Sequence, residues 1–161
     1  MSFFSQRVSR IQPSPTISIT AKAKKLKQEG KKIIDFSAGE PDFDTPNNVK
    51  EAAIQAIKDG QTKYTPVNGT KELIEAIIKK FKRENDLVFE PDEITVGCGG
   101  KQVIYNALVA TIEKGDEIII PAPFWVSYPD MTLLVEGQPV VLDCSLENNF
   151  KINPKDLENK I

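Results

Sequence analysis

Apolar positions in the first half of the chain recur at helical spacing, and those in the second half fall into short runs separated by helical stretches. Over residues 16–30, Ile17, Ala21 and Leu26 follow the helical interval and Gly30 supplies the stop, which predicts a helix. Residues 33–36 form a short apolar run that reads as a strand, followed over 37–46 by a loop rich in Gly, Pro and Asp. Thr45-Pro46 predicts a second helix start, with a hydroxyl cap and a proline in the first turn. That helix is expected to reach about residue 59, with Val49, Ala53, Ile54 and Ile57 on one face and Gly60 ending it. After a loop over 63–69, a third helix is predicted over 70–85. Leu73, Ile74, Ile77, Ile78 and Phe81 face inward there, and Lys71, Lys79, Lys80 and Lys82 face water.

The pattern then changes. Residues 93–97 read as a strand, 101–113 as a helix, 117–120 as a strand, 126–135 as a helix and 139–143 as a strand. Strands alternating with helices imply βαβ units and a parallel sheet. Ile118, Ile119 and Ile120 in succession suit a strand buried on both faces. Asn153-Pro154 starts a last helix, which is expected to run on to Ile161. An uncapped helix after three sheet strands predicts a truncated domain.

Composition narrows the function classes. With 161 residues, 40% apolar, 27% charged and a net charge of -2, the chain reads as a soluble globular protein. It shows no basic face for nucleic acid, no apolar run long enough for a bilayer and no secretory signal in residues 1–10. Cys98 and Cys144 lie far apart, which argues against a disulfide framework and fits a reducing cytoplasm. There is no histidine, so a histidine general base and ordinary histidine-containing zinc sites are excluded within this chain.

Four stretches can carry chemistry. In Thr95-Val96-Gly97-Cys98-Gly99-Gly100-Lys101-Gln102 a predicted strand enters a glycine-rich turn that opens a helix, an arrangement that seats phosphate on free N–H groups. A Walker A loop would need glycine where Thr95 stands and Ser or Thr where Gln102 stands, and a dinucleotide fingerprint would need Gly or Ala at Gln102. Both readings fail, leaving another phosphate ligand or a plain tight turn. Gly39-Glu40-Pro41-Asp42 either leaves the Gly39 N–H approachable or simply connects two elements. Tyr64, in Lys63-Tyr64-Thr65-Pro66, either presents its hydroxyl to an anion or is an ordinary loop tyrosine. Pro121-Ala122-Pro123-Phe124-Trp125 follows the most apolar strand at its carboxyl end, where open α/β sheets bind ligands; Trp125 either stacks on a flat ring or belongs to the core. The glycine turn and the tryptophan loop follow successive parallel strands, so together they suit a ligand with a phosphate and an aromatic ring. Pyridoxal 5'-phosphate (PLP) is such a ligand.

These stretches resemble the class I/II aminotransferases, PLP-dependent enzymes, and among them the bacterial aspartate aminotransferase branch. The resemblance rests on Phe36-Ser-Ala-Gly-Glu-Pro-Asp-Phe-Asp-Thr-Pro46, Lys63-Tyr-Thr-Pro-Val-Asn-Gly-Thr-Lys-Glu-Leu73, Val96-Gly-Cys-Gly-Gly-Lys-Gln102 and Pro121-Ala-Pro-Phe-Trp-Val-Ser-Tyr128, in the family's order and spacing. It implies an α/β fold: a large PLP-binding domain with a mostly parallel sheet, begun here by residues 47–161, and the first segment of a small domain in residues 1–46. It implies Gly99, Gly100 and Lys101 at the phosphate turn and Trp125 on the pyridine ring. Tyr64 would reach the cofactor phosphate of a partner subunit in a homodimer. Gly39 would face the substrate α-carboxylate, and Ser14, Thr16 and Lys101 would hold the distal carboxylate of an acidic substrate. The lysine that forms the Schiff base lies further along in the family, and no lysine here matches it. The resemblance therefore implies part of a cytoplasmic enzyme that moves the amino group of L-aspartate to 2-oxoglutarate, inactive as these 161 residues alone. Other specificities (prephenate or aromatic), a non-catalytic PLP-binding module and half of a split protein stay open as alternatives.

Overall fold

The computed structural model describes residues 3–161. The helices are α1 (Gln6–Ser9), α2 (Pro15–Gln28), α3 (Asn47–Lys58), α4 (Lys71–Asn85), α5 (Gly100–Thr111), α6 (Ser127–Leu134) and α7 (Pro154–Glu158), and the strands are β1 (Glu117–Ala122) and β2 (Gln138–Asp143). The chain forms two compact units. One is Gly39–Gly99; the other joins the chain up to Ala38 with Gly100–Ile161.

In the discontinuous unit, β1 and β2 pair in parallel, from Glu117 opposite Gln138 to Ala122 opposite Asp143. Parallel neighbours need a crossover, and α6 provides it, packing on both strands. The core beneath it consists of Ile120, Met131, Leu142 and Cys144, with Thr132 satisfied by donating its hydroxyl proton to the Tyr128 carbonyl at 3.0 Å. Burying a side chain such as Leu142 contributes about 1.5–3 kcal/mol. Of the isoleucine run, only Ile120 is fully buried. Ile118 and Ile119 are half-covered, because β1 has a strand neighbour on one side alone among the described residues.

Pro15 opens α2 at a position where a missing N–H costs nothing. The strand expected at 33–36 is not seen: among the described residues this stretch has no ladder partner, and ladder pairing is what makes a strand. A short helix that the apolar pattern did not reveal, α1, is capped by the Ser5 hydroxyl, which accepts from the Val8 N–H, and it packs against α6. The last helix is shorter than expected. It starts on the Asn153 cap and ends at Glu158, three residues before Ile161.

In the Gly39–Gly99 unit, α4 is capped by Thr70, whose hydroxyl accepts from the Leu73 N–H, and ends at Asp86 in left-handed backbone. Ile74 and Ile94 are its buried apolar residues, and Phe81 meets Phe89 edge to face at 5.2 Å. The inward face expected on α4 is covered only in part, since Leu73 is exposed. Thr45 does not cap α3. Pro46 holds that position, and the Thr45 N–H donates instead to the Asp44 carboxylate at 2.8 Å. The apolar face of α3 exists, but Val49, Ile54 and Ile57 are exposed on it. The strand expected at 93–97 is replaced by a 3₁₀ turn, Pro91–Glu93, and an extended stretch tied by one bond, Val96 N–H to the Asn68 carbonyl at 2.9 Å.

Candidate active site

Three local features of the discontinuous unit converge. The first is the stretch entering α2, where Ser14 precedes Pro15 and Thr16 lies in the first turn. The second is the start of α5 at Gly100 and Lys101. The third is the loop after β1, which passes through the cis Ala122–Pro123 bond to Phe124 and Trp125 before α6. Ser14, Thr16, Lys101 and Trp125 line one cavity of about 400 Å³, together with Gln12, Ile17, Phe124, Ser127 and Asp130. Gly100, Lys101, Ile104, Trp125, Tyr128 and Met131 line a second cavity of about 320 Å³. Lys101 and Trp125 border both, so the two cavities share a wall.

The start of α5 is the part of the cavity that favours an anion. Lys101 stands in the first turn of α5, where the helix dipole is already positive, and that turn holds no acidic residue. Lys101 makes no ion pair with any described residue, and the only other charged group around the larger cavity is Asp130. The leading N–H groups of α5 have no carbonyl partner within the helix, which is the usual basis of phosphate binding. Gly99, just before α5, has φ +86°, a conformation costly for a side chain, and its N–H donates to the Gly97 carbonyl at 2.9 Å. Its amide is therefore used in the turn, which leaves those of Gly100 and Lys101 as the leading amides of α5. A β-carbon on Gly100 would meet nothing within 4 Å, so a ligand can approach the backbone there.

Trp125 is 52% exposed and lines the second cavity beside Tyr128. Helix-start amides, an unpaired lysine and an accessible indole suit a phosphate joined to a flat heteroaromatic ring, so the residues present fit PLP. Gly39 and Tyr64 belong to the other unit. A β-carbon on Gly39 would meet nothing within 4 Å, and Tyr64 is fully exposed on the loop before α4.

A polar network behind Thr16 was not read from the sequence. The Thr20 hydroxyl donates to the Thr16 carbonyl at 2.8 Å and meets the Ser37 hydroxyl at 3.0 Å. Ser37 donates its hydroxyl and its N–H to Asp35, and Lys27 donates to the same carboxylate at 3.3 Å. The hydrogen bonds from Ser37, with Lys27 adding to them, hold the Asp35 carboxyl below its ordinary range. This ties the stretch after α2 to the turn that carries Thr16. Asp130 was also missed; its one sequence signal is its place in the helix that follows the tryptophan loop.

Residues 31–161 match the aminotransferase class I and II family over most of the chain. The chain belongs to the class I and II aminotransferases. This family is PLP-dependent. The chain is similar to the aspartate/prephenate aminotransferase of Nitrosomonas europaea, 60% identical over 157 residues, which are 98% of this chain and 40% of that protein. The aspartate/prephenate aminotransferase of Cereibacter sphaeroides is 55% identical over 161 residues, covering 100% of this chain and 40% of that protein. Among solved structures, the aspartate aminotransferase of Rhizobium meliloti superposes with a TM-score of 0.94 at 47% identity, over 100% of this chain and 40% of that one. The Thermus thermophilus enzyme with maleate gives 0.94 at 43% identity, over 100% and 42%. This aminotransferase chain thus has the aspartate aminotransferase fold along its length and spans about 40% of the length of the curated relatives it matches. No helix of the described residues is long and apolar enough to cross a membrane, and no cluster of metal-ligating side chains occurs among them.

Proposed function

We propose that this chain is the amino-terminal part of an aspartate aminotransferase that transfers the amino group of L-aspartate to 2-oxoglutarate with PLP. The observation that carries this reading is the convergence of Ser14, Thr16, Lys101 and Trp125 on one cavity whose single cation is Lys101. A dicarboxylic substrate has one carboxylate to spare beyond the reacting carbon. Lys101 would bind it by charge, and the Ser14 and Thr16 hydroxyls would orient it by donating hydrogen bonds. Gly99, Gly100 and Lys101 would form the turn that holds the cofactor phosphate, and Trp125 would cover one ring face and exclude water from it. When bound, PLP supplies the electron sink for the substrate α-carbon. The proton-transferring lysine would come from residues beyond this chain, so these 161 residues alone would not turn over.

In the complete enzyme, residues 1–46 would start a small domain and 47–161 the PLP-binding large domain. Exposed Tyr64 would reach the cofactor phosphate of a partner subunit in a homodimer, and Gly39 would face the α-carboxylate. We place the enzyme in the cytoplasm, whose reducing conditions suit two cysteines as far apart in sequence as Cys98 and Cys144. A second substrate, prephenate, is supported by the names of the similar proteins and by the apolar wall of Ile17, Phe124 and Trp125 in the same cavity. The decisive experiment is an absorbance spectrum of the protein from the complete native gene mixed with PLP, before and after L-aspartate. A visible band of bound cofactor that disappears with L-aspartate supports the reading. If no such band forms, the binding-module alternative takes its place.

A further inference from the structure

We infer that Asp130 sets the preference of this cavity between dicarboxylic and uncharged substrates, an inference that rests on the function proposed above. The cavity holds two charged side chains, Lys101 from α5 and Asp130 from the first turn of α6. They do not pair: no ion pair joins them, and the Asp130 side chain makes no hydrogen bond to any described residue. Asp130 is half-buried, so solvent screens it only partly. A carboxylate that lines the same cavity as a cation acts on any third charge that enters. It offsets part of the Lys101 field and so weakens a substrate's distal carboxylate, while an apolar or hydroxylated side chain feels little of it. Asp130 thereby keeps the cavity near neutral and open to substrates of both kinds, along the apolar wall of Phe124 and Trp125. The competing role is local: a carboxylate in the first turn of α6 stabilises that helix through its dipole. The two roles differ in their readout, because a helix-stabilising role cannot tell one substrate from another.

The test uses the enzyme from the complete native gene. Asp130→Asn is expected to lower KM for L-aspartate by roughly three- to tenfold, the size of one like charge removed at a partly solvated site. Its kcat, and its KM for L-phenylalanine, should stay within about twofold. Asp130→Glu should restore the wild-type ratio of the two KM values, and Asp130→Ser should repeat the Asn result if Asn disturbs folding. Raising the ionic strength should shrink the difference. Equal changes for both substrates, or no change for either, would overturn the inference and leave Asp130 a helix-stabilising residue. A wild-type enzyme that does not act on L-aspartate at all would instead remove the proposed function, and the inference with it.

Discussion

A β-carbon built on Gly69 would stand 2.8 Å from Cγ2 of Val96. The two are also tied through the backbone, since the Val96 N–H donates to the Asn68 carbonyl at 2.9 Å. The turn before α4 and the stretch after the 3₁₀ turn are therefore packed with no room for a side chain. This also explains why Gly69 stands directly before the Thr70 cap: its φ of +118° lies where other residues are strained.

Gly69→Ala should destabilise the protein by about 1–3 kcal/mol, from the left-handed backbone and the collision with Val96 together. Denaturant unfolding of the single and double variants checks it. Val96→Ala should cost less in the Gly69→Ala background than alone, because it removes the colliding methyl. Strictly additive effects would count against the packing argument.

Lys101→Ala in the complete enzyme should raise KM for L-aspartate by roughly 10- to 100-fold, the worth of a hydrogen bond to a charged group. L-alanine, which lacks the second carboxylate, should be affected much less. Steady-state kinetics on both substrates measures the difference. Equal losses would mean that Lys101 serves only the cofactor phosphate.

The Asp35 carboxyl should titrate below its ordinary value of 3.8. Ser37→Ala should move its midpoint upward, since Ser37 donates the hydrogen bond that lowers it most. The folded-state pKa is depressed, so the stability this group contributes is fully present above the unfolded value. It is lost as pH falls through the lower folded value. An NMR titration of the Asp35 side chain in the two proteins checks the shift, and an unchanged midpoint would contradict the network behind Thr16.

Local periodicity was enough to place α2, α3 and α4, and the alternation of strand and helix stretches in the second half was enough to place α5, α6, β1 and β2, because these signals are written within a few residues. The same reasoning overreached at 33–36 and 93–97, which read as strands but form no ladder among the described residues. It also overstated burial. The faces carrying Ile54 and Ile57 on α3, and Ile118 and Ile119 on β1, are amphipathic or apolar as written, yet their cover is not found among the described residues. Helix α1 escaped notice because its four residues are too few to show a period; its Ser5 cap was the only signal.

The sequence alone determined that strands alternate with helices, that a glycine turn opens a helix at Lys101 and that Trp125 follows the carboxyl end of an apolar strand. Its motifs, in order and spacing, carried the resemblance to the aminotransferases. Tertiary structure decided which of these residues share a space. Ser14 and Thr16 come from a helix start far from Lys101 and Trp125 in sequence, and only packing within one unit brings the four to a common cavity. It also decided that Asp130 joins them and that the Gly99 amide turns back to Gly97. The physical reason is range. Helix periods, caps and turns are settled by neighbours along the chain, whereas convergence, burial and unpaired charge depend on groups that meet only once the chain is folded.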